Sequence, residues 1–465
     1  MKYRDLSALL LLLPGLSALF FLAPAGARAQ QFTVLHSFNG TDGCYPGPLV
    51  LSGDTLYGAT GGGGSKGYGV IYKIGTNGSG FGCVHDFAAE SNYDRGSDLV
   101  LCGSTLCVPL YRFASFQYTN FDASLFGVNT DGSGAGVFCD MGHNLVVDLA
   151  PFNNSLCGIT MPWISSASPY WGTGGTLFAV GCDGFNAGVV CQFPDAAYPS
   201  GSLLAVPGAL YGTLMASDDG IVYRVVSETE YMVLHTFNGA DGSSPNGRLV
   251  LDGNVLYGTT AQGGAANHGT IFKVNYGGSD FHVLYEFSAY DNHESVNNTD
   301  GANPDAGLLL SGGKLYGAAS RGGSHAFGTL FSLDTNGSNF TVLHTFSGAD
   351  GKYPEYLEAP GMNLVMSGQT IFGVTFMGGQ ASTPDQGTVF ALTLPPDLAP
   401  LDFHWEGTVL TLTWPSSAGW RLQQNPDLDP ANWTDATCQV TIVDGQCQAQ
   451  IPVADDKGFY RLVWP

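Results

Sequence analysis

Phe32-Thr-Val-Leu-His-Ser-Phe38 sets the architecture of this chain because it returns. The same alternation of apolar and polar residues recurs at Phe81–Phe87, Ala135–Met141, Ala187–Phe193, Tyr231–Phe237, Phe281–Phe287 and Phe340–Phe346. Period-two alternation is the signature of a half-buried strand. Most copies run into a loop such as Asn39-Gly-Thr-Asp-Gly43 or Asn238-Gly-Ala-Asp-Gly242. A hairpin follows, Leu49-Val-Leu-Ser-Gly-Asp-Thr-Leu-Tyr-Gly58, echoed at Leu249–Gly258 and Leu308–Gly317. Next comes a double-glycine loop (Gly61-Gly62, Gly263-Gly264, Gly322-Gly323, Gly378-Gly379), and the unit closes with Gly69-Val-Ile-Tyr-Lys-Ile74, repeated at Gly269–Val274 and Gly328–Leu333.

Each unit therefore carries four short strands over a period of about 40–60 residues, which marks a repeat architecture. Four strands cannot close a core alone, but units stacked radially bury both faces of every sheet. The sequence predicts an all-β chain: a seven-bladed β-propeller over residues 30–395, with hairpins beginning near Leu49, Leu99, Val146, Leu203, Leu249, Leu308 and Leu364. The chain enters on an outer-type strand and its last unit ends at a third strand, Gly387–Leu392. The N-terminal strand is thus expected to complete the last blade and close the ring.

Four units keep the pattern, the second and third are degenerate, and the fourth has a short connection at Met215–Gly220. Leu56-Tyr-Gly-Ala-Thr60, Leu256-Tyr-Gly-Thr-Thr260 and Gly269-Thr-Ile-Phe-Lys273, with the paired glycines, resemble the bacterial GloVer tandem-repeat family over about residues 31–395. That resemblance implies an exported repeat protein, often carried with C-terminal sorting or accessory modules, and it transfers no catalytic residue. The double glycine is similar to kelch repeats, whose paired Tyr and Trp signature is missing.

Residues 396–465 read as a separate small β-sandwich after a linker marked by Pro395-Pro396 and Pro400. Its strands are expected at Gly407–Trp414, Trp420–Gln424, Gln439–Val443, Gln446–Val453 and Gly458–Val463. The Phe459-Tyr-Arg-Leu462 strand looks like the end of modules found in secreted bacterial proteins, which implies an accessory or secretion-related role.

At the other end, Lys2 and Arg4, the apolar runs Leu9 to Leu13 and Leu19 to Leu22, and Ala27-Arg28-Ala29 predict a signal peptide over 1–29. Removing it would take away Lys2, Arg4, Arg28 and Asp5, leaving 13 basic against 38 acidic residues and a net charge of −25. No later segment is long and apolar enough to span a bilayer, so a secreted, extracellular or periplasmic protein is expected. The whole chain already stands at −23, with 16 Lys+Arg against 39 Asp+Glu, which disfavours nucleic acid as a partner. Apolar residues at 44% exclude wholesale disorder.

Ten cysteines in an exported chain favour disulfides over metal ligation. Cys438 and Cys447 sit apart from the others and are a plausible pair, whereas Cys102 and Cys107 flank a turn that makes them diagonal neighbours.

Four histidines, His36, His85, His235 and His344, occupy one strand position in different units, so they are too far apart to share a metal. Asp42, Asp241, Asp300 and Asp350 precede glycines in repeated loops; calcium is conceivable there, but Asx-turn chemistry explains the pattern without a cofactor. The double-glycine loops lack a following Lys-Ser/Thr and so are not phosphate cradles. No catalytic residue stands out. Asp291, His293 and Glu294 form a polar group in the insertion Ser288–Asp305 and read as a solvated loop.

The more informative signal lies where the repeat breaks. Tyr111, Phe116, Tyr118 and Phe121 replace the glycine loop of the second unit, and Trp163, Tyr170 and Trp171 replace that of the third. Aromatic faces beside amides and hydroxyls suit sugar rings, although such residues also pack together as a lid. The expectation is a non-catalytic recognition propeller for a glycan or cell-surface protein or polymer. The alternatives are an exported carbohydrate-active enzyme, lyase or hydrolase, and an envelope scaffold.

Overall fold

A hairpin turned by Gly53-Asp54 shows how the repeat folds locally. Gly53 adopts φ +57°, which matches the twist of a two-residue turn, and Ser52 pairs with Thr55 across it. The same turn recurs at Gly253 and Gly368, with Asp252 opposite Val255 and Ser367 opposite Thr370. These positions belong to a computed structural model that describes residues 7–11, 19–23, 30–88, 99–113, 121–142, 144–152, 155–162, 175–193, 203–214, 219–227, 230–289, 298–354, 363–380, 385–395, 402–406, 409–415, 421–425, 434–443, 446–452 and 459–463.

The described strands form antiparallel sheets without a helix, in two compact units: Phe32–Leu392, and Met1–Gln31 with Thr393–Pro465. In the larger unit, four-stranded sheets follow one another at 100–142, 144–192, 204–236, 250–286 and 309–345, their strands side by side in chain order. The sheet at 50–86 has an additional strand, Cys44–Pro46, on Thr55–Gly62. The last sheet joins Val365–Ser367, Thr370–Thr375 and Thr388–Thr393 to Gln31–Ser37, so the strand that opens the repeat is the fourth strand of the final one. This arrangement is an all-β, propeller-like fold.

Packing between sheets explains the Leu-Tyr-Gly motif. Gly258 lies opposite Phe272, and a Cβ added to it would sit 2.6 Å from that ring and 2.7 Å from Leu249. Gly58 stands in the same relation to Tyr72, Gly158 to Phe178, Gly212 to Tyr223, Gly317 to Phe331 and Gly373 to Phe390. Each glycine makes room for a large aromatic on the next strand. The second sheet departs from this, with Val108 opposite Phe126.

Apolar clusters join the sheets in succession. Tyr57 and Ile71 of the first pack with Leu106 and Phe126 of the second; Tyr111 and Leu125 meet Leu149 and Phe178 of the third. The series continues through Ile159 with Tyr223, Leu234 with Phe272, and Ile271 with Phe331. Phe38, Val389 and Phe372 of the last sheet pack in turn on Tyr72 and Ile74 of the first. The first strands of neighbouring sheets also touch one another, including Val365–Ser367 against Val50–Ser52.

Cys102 forms a disulfide with Cys182, 80 positions later, tying the first strand of the second sheet to the turn before the last strand of the third. The expected Cys438–Cys447 pair is not formed: both are free thiols that pack beside the core of the smaller unit.

In that smaller unit, one sheet runs Asp402–Glu406, Val409–Pro415, Gln446–Pro452, Val440–Val443. The second contains Arg421–Asn425, Thr434–Asp435 and Phe459–Val463, with Ser7–Leu11 and Leu19–Ala23 added as a hairpin beside Phe459–Val463. Asp402–Glu406 is a strand the sequence reading omitted. Its charged ends mask the alternation. Trp414, Leu412, Leu422, Ala449 and Ile451 make this unit's core. Among the described residues no helix is long and apolar enough to cross a membrane.

Candidate functional site

In a four-stranded antiparallel meander, the chain enters the first strand at the same end at which it crosses from second to third. Loops between sheets and loops between second and third strands therefore share one face. Two constellations lie on that face.

The first is a clasp repeated from sheet to sheet. His36 and Asp42 are joined Nε2 to Oδ2 at 3.0 Å, and so are His235 with Asp241 and His344 with Asp350. The other oxygen of each carboxylate accepts a backbone N–H of its own loop, from Asn39, Asn238 and Ser347. In the fifth sheet Tyr285 replaces histidine and donates to Asp300 at 2.8 Å. Each ring then stacks on the leading aromatic of the next outer strand: His36 on Phe81 at 3.7 Å, His235 on Phe281 at 3.4 Å, Tyr285 on Phe340 at 3.8 Å and His344 on Phe32 at 3.7 Å. Where the histidine gives way to Cys139, the next strand opens with Ala187 instead of an aromatic. Burial holds His36 and His235 below the usual imidazole range, against the opposing pull of Asp42 and Asp241.

Histidine and aspartate are thus parts of one structural device. The sequence signal was available: histidine and aspartate recur six positions apart at 36/42, 235/241 and 344/350. Among the described residues no group of three or more His, Cys, Asp or Glu is placed to hold a metal ion.

The second constellation sits where the first strands converge, and the sequence reading missed it. The residue ahead of each inner leucine is Pro48, Asp148, Arg248, Gly307 or Asn363 in the first, third, fifth, sixth and last sheets. Asp148 is buried; its Oδ2 accepts the Leu203 N–H at 2.6 Å. Arg248 Nη2 stands 3.4 Å from Asp148 Oδ1 and 3.3 Å from the Leu149 carbonyl, spanning the fourth sheet. Burial pushes the Asp148 carboxyl up, and Arg248 opposes that shift.

On its other side Arg248 meets Gly307 and Asn363. A Cβ on Gly307 would lie 2.1 Å from Asn363 Oδ1 and 2.8 Å from Arg248 Cβ, so only glycine fits between them. Arg248 Nε and Asn363 Oδ1 are buried atoms with no hydrogen-bond partner among the described residues. Asp305, two positions before Gly307, is also buried; Ser320 Oγ donates to its Oδ2 at 3.2 Å and its Oδ1 is unpartnered. Burial pushes the Asp305 carboxyl up to about 7. The signal for this group was a position that changes among Pro, Asp, Ser, Arg, Gly and Asn from repeat to repeat while the leucine after it stays the same.

Of the aromatics singled out from sequence, Tyr111 is placed within the core. It is 6% exposed, and its hydroxyl donates to the Val146 carbonyl of the third sheet. Phe121 pairs with Phe113 at the start of its strand. Phe116, Tyr118, Trp163, Tyr170 and Trp171 lie outside the described residues, as do Asp291, His293 and Glu294.

Comparison with solved structures supports the fold alone. An oligogalacturonate lyase from Vibrio parahaemolyticus superposes with a TM-score of 0.50 at 10% identity, covering 85% of this chain and 100% of that one. A puromycin-hydrolyzing peptidase of Mycobacterium tuberculosis gives 0.49 at 13% identity, covering 81% of this chain and 59% of the peptidase, so this chain spans about three-fifths of it. The β-propeller domain of the Trilobed protease from Pyrococcus furiosus gives 0.41 at 8% identity, covering 75% and 93%. No protein of curated function matches the sequence. Residues 153–357 match the Gloeobacter/Verrucomicrobia repeat, a stretch that holds Gly263-Gly264, Gly322-Gly323 and the His235–Asp241 and His344–Asp350 loops.

Proposed function

We propose that this chain is an exported, non-catalytic recognition protein whose larger unit is a seven-bladed propeller closed by its N-terminal strand, and that it binds a glycan or cell-surface polymer. The observation that supports the reading is the polar group where the first strands meet, in which Asp148, Arg248 and Asn363 come from three different repeats. A sugar hydroxyl both accepts and donates, so it suits a group that holds a carboxylate, a guanidinium and an amide. Phe116, Tyr118, Trp163, Tyr170 and Trp171, which lie outside the described residues, are proposed to supply the stacking surfaces for the sugar rings. Cys102–Cys182 suits the oxidising compartment that a signal peptide over 1–29 implies.

The test is a glycan array probed with the protein, with Asn363→Ala, and with Trp163→Ala/Trp171→Ala, each in calcium and in chelator. Selective binding that both variants weaken supports the reading, and loss in chelator alone would add a calcium site to it. Absence of binding under both conditions overturns it in favour of a protein partner or an envelope scaffold.

A second reading, a polysaccharide lyase or hydrolase, draws on Asp305, whose carboxyl at about 7 is matched to proton transfer near neutral pH. Turnover of a polysaccharide that Asp305→Asn abolishes while binding persists would establish it.

A further inference from the structure

The smaller unit ends one of its sheets on an edge that lacks the usual protection. Among the described residues Val440–Val443 pairs only with Gln446–Pro452, and no strand lies on its other side. Val440 stands opposite Ala449 and Ile442 opposite Cys447, so both valine and isoleucine point to the side on which Ala449 and Cys447 join the core around Trp414. Nevertheless Val440 is 44% exposed and Ile442 69%, with Val443 at 45% on the other side. The apolar face continues beyond the core, and nothing among the described residues covers it.

We infer that this edge pairs with a second copy of the same chain, strand against antiparallel strand about a two-fold axis. Charge decides the occupant. Most surfaces of a chain at −23 repel another copy, but Ala436 to Pro452 contains a single charged residue, Asp444. The opposite edge of the same sheet, Asp402–Glu406, carries an acid at each end, the usual device against edge-to-edge pairing. One edge is blocked and the other is open. A two-fold antiparallel pair keeps the core-facing sides of both sheets together, so Val440 and Ile442 of the two copies become cross-strand neighbours. The free backbone groups of Val440–Val443 then complete a ladder across the axis.

Sedimentation equilibrium of the full chain tests this, with Ile442→Glu and, as a control, Val189→Glu at an exposed valine of the larger unit. The wild type and the control should form a dimer, and Ile442→Glu, which places two carboxylates in the seam between the copies, should raise the dimer dissociation constant at least about tenfold with an unchanged circular dichroism spectrum. A wild type that stays monomeric, or a dimer indifferent to Ile442→Glu, overturns the inference.

Discussion

Arg248 reaches Asp148, 100 positions earlier in the chain, across an intervening sheet, and the two hold the first strands of the third and fifth sheets at one point. Asp148 is almost wholly buried and takes its second hydrogen bond from Leu203 of the sheet between. A buried pair is costly to break from one side, because the remaining charge is stranded. Arg248→Ala should therefore destabilise the protein by about 3–5 kcal/mol in urea unfolding. Arg248→Met combined with Asp148→Leu should recover most of that loss. Equal instability of the double variant would mean that packing, not the stranded carboxylate, sets the cost.

Gly258 supports a sharper comparison. Its Cβ position is occupied by the Phe272 ring, so Gly258→Ala should cost about 1–3 kcal/mol through overpacking. Gly253 has open space around it but φ +56°, and Gly253→Ala should cost about 1–2 kcal/mol through backbone strain alone. Adding Phe272→Leu should relieve the first and leave the second unchanged. Thermal melts of the three variants separate the two mechanisms.

The clasp predicts a pH dependence of defined sign. His235 is held below its unfolded value, near 6.5, so between the two values the unfolded chain binds a proton that the folded chain refuses. Its contribution to stability is complete above about 6.5 and falls away as the pH drops towards the folded value. Tyr285 already occupies the equivalent position, with the same stacking and a carboxylate partner. His235→Tyr should preserve the clasp and flatten the decline in Tm between pH 7 and 5.5. A slope identical to wild type would show that other groups set it.

Asp305 has the opposite sign. Its folded value of about 7 lies above the unfolded one, so its contribution is complete below about pH 4 and is lost as the pH rises through 7. Asp305→Asn keeps the shape without the charge and should stabilise the protein at pH 8 by about 2–4 kcal/mol, with little effect at pH 4. Guanidinium unfolding at the two values provides the check.

The four-strand unit was legible from the amino-acid order alone, because alternation, turn glycines and recurrence are local properties. Even the return of Gln31–Ser37 to the last sheet followed from the phase of the repeat. The meaning of Leu-Tyr-Gly did not. Its glycine answers to an aromatic on the adjacent strand, and only pairing register brings Gly258 under Phe272. The Cys438–Cys447 pair was expected from isolation in sequence, a property that says nothing about the distance between two thiols.

Amino-acid order was enough to establish a β repeat, the places where its hairpins turn and the return of Gln31–Ser37 to the last sheet, since each follows from spacing along the backbone. Tertiary structure alone decided which residues act together. Asp148, Arg248 and Asn363 come from separate repeats and are brought close because first strands of successive sheets converge. His235 becomes a clasp only when the next outer strand supplies Phe281. Val440 and Ile442 read as ordinary core residues until the sheet ends beside them and leaves their side chains in water.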